Sequence, residues 1–190
     1  MFKPLRHSFA RVLALTFLLA CVPTVAHAAE ASNGGTSPDD PRYAPAKKAK
    51  IVNGYAIPPR NAPRRVKRAI NAANDIVDKP YRYGGGHASV EDKGYDCSGS
   101  VSYALIGGNL LKSPLASGDF MSWGQRGKGK WITVYANGGH AYAVIAGLRL
   151  DTGMRDPNGD KYGQEPGTGP RWNKTMRDSS GYRIRHPATF

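Results

Sequence analysis

The chain has 190 residues, 40% of them hydrophobic, with 27 Lys and Arg against 14 Asp and Glu for a formal net charge of +13. That apolar content can supply one core and excludes a wholly disordered chain, while only two cysteines exclude a disulfide scaffold. No stretch reaches the ~20 consecutive apolar residues that a membrane span requires.

Residues 1–28 read as an export leader. Lys3, Arg6 and Arg11 give it a positive start, Val12 to Ala20 form a short apolar run, and Ala26-His27-Ala28 supplies the small-x-small pattern of a signal-peptidase site. Cleavage after Ala28 is expected, leaving a secreted or periplasmic protein. The less favoured alternative uses Leu18-Leu19-Ala20-Cys21, which resembles a lipobox and would leave Cys21 as a lipidated N-terminus. Cleavage removes three basic and no acidic residues, so the charge falls from +13 to +10. A basic exported protein is drawn to anionic surfaces such as cell-wall polymers or lipid head groups. Nucleic acid is not expected as a partner, because the leader carries the chain away from it.

Residues 29–60 are rich in Ala, Pro, Ser, Asn, Gly and Lys without a sustained apolar period, and read as a flexible basic tether. Residues 61–190 then form one domain. Asn61-Ala62-Pro63 is a plausible helix start, with Asn as cap and Pro in the first turn. Val66, Ile70, Ala73 and Val77 follow on one helical face, and the helix should stop at Asp78-Lys79-Pro80. Arg64, Arg65, Lys67 and Arg68 crowd its N-terminal end, either as a solvated face or as an anion contact. Tyr81 to His87 form a short extended piece entering a glycine turn. A second helix is expected from Asp96-Cys97-Ser98 to Gly107-Gly108, a normal C-terminal stop.

Beyond Trp123 the pattern turns to strands. Trp131 to Tyr135 is β-branched and aromatic, Asn137-Gly138-Gly139 turns the chain, and Ala141 to Ala146 is a buried run. Gly147 allows a tight reversal into Leu148 to Asp151. Residues 153–170 form a long loop, and Tyr182 to Arg185 alternates as a closing edge strand. Helices followed by an antiparallel meander make an α+β fold.

Cys97 is the residue around which the chemistry gathers. Once Cys21 leaves with the leader it has no partner, and an unpaired thiol in an oxidising compartment is exposed to wrong pairing. A thiol becomes a strong nucleophile when a helix N-terminus and an imidazole stabilise its thiolate. Cys97 stands where the second helix starts, beside Asp96, Ser98 and Gly99 rather than apolar neighbours. A buried packing cysteine is the plainer alternative. His140 opens an apolar strand just after a glycine turn and is the candidate base. His87, ten residues before Cys97 in a glycine loop, is a rival base or a substrate contact at the rim. Asp151, eleven residues past His140 across the expected hairpin, is the leading candidate to orient the imidazole, with Arg149 and Thr152 nearby and a strand-end turn as the plain alternative.

Other chemistries lack the residues. The histidines are scattered rather than at ligand spacing, so no metal and no cofactor are expected. Glu91-Asp92 is an exposed pair without an apolar pocket. Asp156-Pro157-Asn158-Gly159-Asp160 lacks the register and terminal Glu of a calcium loop, and Gly84-Gly85-Gly86 lacks the Lys-Ser/Thr of a phosphate loop.

Pro80-Tyr81-Arg82-Tyr83-Gly84-Gly85, Asp96-Cys97-Ser98-Gly99 and Gly139-His140 together resemble the signature series of the NlpC-type cell-wall peptidases, over roughly residues 62–152. The tail, with Gly169-Pro170-Arg171-Trp172 and Arg185-His186-Pro187, resembles a secreted subgroup of them. The resemblance implies a papain-like fold and a thiol peptidase acting on peptidoglycan stem peptides. It also implies residue roles: Cys97 as nucleophile, His140 as base, and Tyr81 with the Cys97 amide against the oxyanion. Asp96 and Ser98 would recognise the free amine of an N-terminal L-Ala. The family's usual third residue is a His, Asn or Gln about twelve positions past the base, so Asp151 departs from its pattern. The implied reaction is D-γ-glutamyl-diaminopimelate endopeptidase cleavage. N-acetylmuramoyl-L-alanine amidase activity and a non-catalytic wall-binding module are the alternatives.

Overall fold

Asn53-Gly54 folds two short apolar runs back on each other. Strands β1 (Lys50–Val52) and β2 (Tyr55–Ile57) pair antiparallel across it, with Asn53 at φ 50 and Gly54 at φ 84. Both turn residues are left-handed, the two-residue hairpin geometry that Asn-Gly adopts at least cost. The structure, a computed structural model, describes residues 48–153 and 169–189. The expected leader, Cys21, residues 29–47 of the tether and the Asp156 to Asp160 stretch lie outside the described residues. The end of the expected tether is corrected: Ala49 and Ala56 are buried in the main core, so residues 48–60 belong to the fold.

Helix α1 (Arg64–Asn74) begins after Pro63, whose fixed φ of −54 opens the helix. Asn61 is not the cap that its type suggests. Ala62 N bonds Pro59 O instead, and this turn aims the chain into the helix. Val66, Ala69, Ile70 and Ala73 face the core. The helix ends at Asn74, before the expected stop at Asp78. Ile76 and Val77 stay buried through tighter turns, in which Ile76 N bonds Ala73 O and Lys79 N bonds Ile76 O.

Helix α2 (Cys97–Gly107) packs on α1, and its C-terminal glycines serve that contact. A Cβ on Gly107 would lie 2.3 Å from the Ala72 Cβ. Gly108 keeps a right-handed φ of −73, and it is Asn109 at φ 55 that takes the left-handed turn. Arg65 donates to Gly108 O and Asn109 O. One arginine of the expected basic cluster therefore caps a neighbouring helix, where a cation complements the dipole.

After the single turn α3 (Ser117–Phe120), six strands form one antiparallel sheet: β3 (Gln125–Arg126), β4 (Ile132–Ala136), β5 (Ala141–Ile145), β6 (Leu148–Asp151), β7 (Arg171–Asn173) and β8 (Arg183–His186). Their order is β3-β8-β4-β5-β6-β7. The edge role expected for the last strand is corrected, since β8 is flanked by β3 and β4. Val134, Ala136, Ala143, Ile145 and Leu150 cluster with Val101, Ala104 and Leu105 of α2 in the core. Each Val, Leu or Ile among them contributes roughly 1.5–3 kcal/mol when buried, and each Ala less. Ala146 at φ 48 and Gly147 at φ 83 make the β5–β6 turn, so Ala143 pairs Leu150 and Ile145 pairs Leu148. One step further along that register, Asp151 comes level with Tyr142 and diagonal to His140. The α+β class read from the sequence is the class observed.

Candidate active site

Asp96 ends the extended run before α2 and caps it, its carboxylate accepting from Gly99 N at 2.7 Å. Cys97 is therefore the first helical residue, and its amide has no carbonyl one turn back to bond. Two features hold the preceding loop against this helix tip. Tyr81 bridges Tyr95, with Tyr95 N on Pro80 O and Arg82 N on Tyr95 O. The glycine turn then passes so close that a Cβ on Gly99 would stand 2.0 Å from Gly85 O. The glycines before and after Cys97 are thus two halves of one contact.

His140 is aimed by the turn before it. The Asn137 side chain accepts from Gly139 N at 3.0 Å and from His140 N at 2.9 Å, and Asn137 N bonds His140 O. The ring places Nε2 2.8 Å from Asp151 Oδ1. On its other side the ring lies beside the half-buried Cys97 thiol, near enough that each shifts the other's pKa. Nε2 is occupied by Asp151, so Nδ1 is the nitrogen left for sulfur.

Asp151 is fully buried. Its Oδ1 also accepts from Gly153 N at 2.9 Å, and its Oδ2 accepts from Arg177 Nη1 at 3.1 Å. Arg149, the neighbour also considered as orienting group, lies with Nε 3.5 Å from Asp151 Oδ2, and Thr152 is buried. Arg177 Nη1 is also 3.1 Å from His140 Nε2. A nitrogen cannot give its proton to one group and accept from another in the ring plane. The charged carboxylate is nearer, so Nε2–H donates to Asp151, and Arg177 stands beside the ring through its own bond to that carboxylate.

These contacts set the charge state. Burial pushes the Cys97 thiol up, but the His140 bond, the Ala141 amide and the imidazolium charge outweigh it and the smaller effect of Asp96, so its pKa falls below the usual thiol value. Burial pulls His140 down, but its bonds to Asp151 and Cys97 and their charges lift it to about 9. Burial also raises Asp151, and the His140 bond, the Gly153 amide and the His140 and Arg149 charges bring it below its usual range. A depressed thiol beside an elevated imidazole favours the thiolate–imidazolium form of the pair over the neutral one.

Around this pair stand the other residues singled out from the sequence. Tyr81 is 43% exposed, and burial, then the nearby charges of Cys97 and Asp96, raise its pKa. His87 does not reach the dyad as a rival base. Its Nε2 lies 3.0 Å from Asp96 Oδ1 and 3.2 Å from Ser98 Oγ. His186 sits in β8 against Pro187 O. Among the described residues, no group of three or more His, Cys, Asp and Glu side chains is placed to hold a metal ion.

Two functional neighbours were missed in the sequence. Asn137 was readable, since an Asn before Gly-Gly commonly bonds its own backbone two residues on. Arg177 left no signal, because it arrives from a segment without periodicity.

No family model matches the chain, and no curated protein matches it. Among solved structures, the peptidoglycan hydrolase RipB from Mycobacterium tuberculosis is similar at 20% identity and TM-score 0.44, covering 64% of each chain. A hypothetical invasion protein of Mycobacterium tuberculosis is similar at 20% identity and TM-score 0.45, covering 66% of this chain and 65% of its own. The resuscitation promoting factor interacting protein RipA is similar at 20% identity and TM-score 0.45, over 73% of this chain and 69% of its own. The chain thus spans just under two thirds of the length of the first two, at 64% and 65%. A likeness at this level decides nothing about chemistry.

Proposed function

We propose that this chain is an exported peptidoglycan hydrolase, a cysteine endopeptidase cutting between D-γ-glutamyl and diaminopimelate (or lysine) in stem peptides. One observation carries the chemistry: a thiol on the first residue of a helix, in contact with a histidine that a buried carboxylate orients. The wall substrate is supported by the motif series around Cys97 and His140, and the basic charge fits a polymer surface.

The Cys97 thiolate attacks the scissile carbonyl carbon. The oxyanion that forms faces the Cys97 amide and the Tyr81 hydroxyl, the two donors that the motif series implies for it. The His140 imidazolium gives its proton to the departing amine, and the C–N bond breaks to leave a thioester. His140, now neutral, takes a proton from water, which attacks the thioester carbonyl and releases the acid and the thiolate. Asp151 holds the ring throughout with Nδ1 toward sulfur.

Mass spectrometry of muropeptides after digestion of purified sacculi tests the proposal. Wild type should release fragments ending in D-glutamate, and Cys97→Ala should release none while still binding the wall. Fragments separated between muramic acid and L-Ala would make the enzyme an amidase with the same dyad. Equal inactivity of wild type and Cys97→Ala on every stem peptide would leave a wall-binding module.

A further inference from the structure

Two guanidinium groups converge on one carboxylate oxygen behind His140. Arg177 Nη1 donates to Asp151 Oδ2 at 3.1 Å, and Arg149 Nε lies 3.5 Å from the same atom. The other oxygen, Oδ1, already accepts from His140 Nε2 and Gly153 N. Only 7% of the Arg149 side chain is exposed, and its buried Nε has no hydrogen-bond partner among the described residues. A cation taken out of water needs acceptors for its donors as well as a counter-charge. Arg149 has a shared counter-charge and an orphaned donor.

The charges do not cancel either. Asp151 brings one negative charge to Arg149 and Arg177, which bring two positive ones. The Cys97–His140 pair is neutral overall in both its ionised and its un-ionised form, so one positive charge is left over. Asp178, next to Arg177 in the chain, spends its carboxylate on Ser180 N at 3.0 Å and Ser180 Oγ at 2.5 Å. Burial lowers the Arg149 pKa, Asp151 raises it, and the Arg177 charge lowers it again. Tyr142 and Tyr182 pack edge to face at 5.2 Å beside this cluster, and such apolar surroundings strengthen each electrostatic contact. The Arg177 side chain, 34% exposed, leaves a way in from solvent.

We infer that Arg149 and Arg177 form an anion site on the Nε2 side of His140 that takes one planar carboxylate. Arginine forks match a carboxylate through paired, parallel hydrogen bonds, a fit that a spherical halide cannot reproduce. The carboxylate has two sources. One is a free carboxylate ion. The other is the substrate, which rests on the stem-peptide reading above. There the leaving amine of diaminopimelate meets the proton of His140, and the diaminopimelate side chain ends in a second carboxylate. Arg177 Nη1, 3.1 Å from Nε2, stands just past the ring on that path. A lysine at the same position of the stem brings no carboxylate.

The test on the full chain uses sodium formate as probe, with ionic strength held constant by sodium chloride. Alkylation of Cys97 by iodoacetamide is followed against pH. Formate should move that profile saturably to higher pH, on the order of one unit, because a new negative charge favours imidazolium and opposes thiolate. Arg149→Met keeps the bulk without the donors and should abolish the response. Should that variant not fold, wild type still decides, since chloride replacing formate should leave the profile where it was. The source is read from kcat/KM on L-Ala-γ-D-Glu-diaminopimelate and L-Ala-γ-D-Glu-lysine. If the substrate supplies the carboxylate, wild type cuts the first about tenfold faster, the scale of one charge-assisted hydrogen bond, and Arg149→Met loses the preference. If a free ion supplies it, the two peptides are cut alike and formate alone moves the profile. The inference is overturned if formate acts no differently from chloride and Arg149→Met leaves the peptide ratio unchanged. If neither peptide is cut, the peptidase reading fails, and the formate response alone decides the anion site.

Discussion

Arg177 Nη1 lies 3.1 Å from Asp151 Oδ2, tying a residue from the segment after β7 to the carboxylate that orients His140. The pair has electrostatic consequences for both members of the dyad. A cation here shares the Asp151 charge, restrains its pull on the imidazolium, and adds to the field that favours the thiolate.

Replacing Arg177 by Ala should therefore move both limbs of the kcat/KM profile to higher pH. With the cation gone the thiolate is less stabilised, which raises the acid limb, and the imidazolium is more stabilised, which raises the alkaline limb. Turnover should also fall by about tenfold as Asp151 loses one anchor. Arg177→Lys keeps the charge and should keep the limbs in place. A profile that loses height without shifting would reduce Arg177 to a packing residue.

Wild-type activity should be bell-shaped. The active ion pair disappears when the thiolate gains a proton on the acid side, and when the imidazolium loses its proton near pH 9 on the alkaline side. Asp151→Asn preserves the shape of the ring's partner but removes its charge, so the alkaline limb should move down from about 9 toward the ordinary histidine value of 6.5. Asn fills this place in papain-like proteases, so the loss of rate should stay near tenfold, and Asp151→Ala should lose about a hundredfold. Stability follows the opposite side of the scale. Asp151 has a folded pKa below 3.8, so its contribution is full above that value and is lost as pH falls through the folded pKa. Urea unfolding of Asp151→Asn across the acid range should show a shallower decline than wild type.

The parts of this site that were legible in the sequence are those fixed by neighbours in the chain. Asp96-Cys97-Ser98-Gly99 reads as a helix start because a cap and its first turn are local, and the β5–β6 hairpin reads from Gly147 because a two-residue turn sets the register of everything it joins. That register is what brings Asp151 within reach of His140, so an eleven-residue spacing carried real geometric content. The early hairpin was equally local: Asn53-Gly54 between Ile51-Val52 and Tyr55-Ala56-Ile57 carries the dipeptide favoured in such turns, but a flanking composition rich in Pro and Lys hid it. What could not be read is non-local. Pairing of β8 between β3 and β4, the return of Arg177 to Asp151, and Arg65 capping α2 all depend on segments that meet only in the folded chain.

Asp96 separates two effects that a single substitution can distinguish. Its carboxylate caps α2, and its charge raises the Cys97 pKa slightly against the larger influences that lower it. Asn caps a helix as well as Asp. Asp96→Asn keeps the cap on Gly99 N but turns an NH2 toward Gly84 N, so it should lose about 1–3 kcal/mol, less than Ala, and its thiol should titrate lower than wild type. The rate of alkylation by iodoacetamide as a function of pH reads this directly. Asp96→Ala leaves Gly84 N, Gly99 N and His87 without their acceptor, and should cost about 2–4 kcal/mol in urea unfolding.

The glycine turn makes the last prediction a contrast between two kinds of glycine. At Gly84 a Cβ would meet nothing within 4 Å, but its φ of +73 is left-handed. Gly84→Ala should cost about 1–2 kcal/mol, the steric penalty of that backbone region for an L-residue, with the site intact. At Gly99 the backbone is helical and an Ala would be favoured by about 1 kcal/mol on propensity alone. Its Cβ, however, would stand 2.0 Å from Gly85 O, a backbone atom that cannot swing aside. Gly99→Ala must therefore either unfold the tip of α2 or push the loop bearing Tyr81 and His87 away from Cys97. The expected result is a loss of at least about 3 kcal/mol, or a folded protein with turnover reduced about a hundredfold. A Gly99→Ala variant with wild-type melting and wild-type turnover would mean that loop and helix do not interlock, and the role proposed for Tyr81 would go with it.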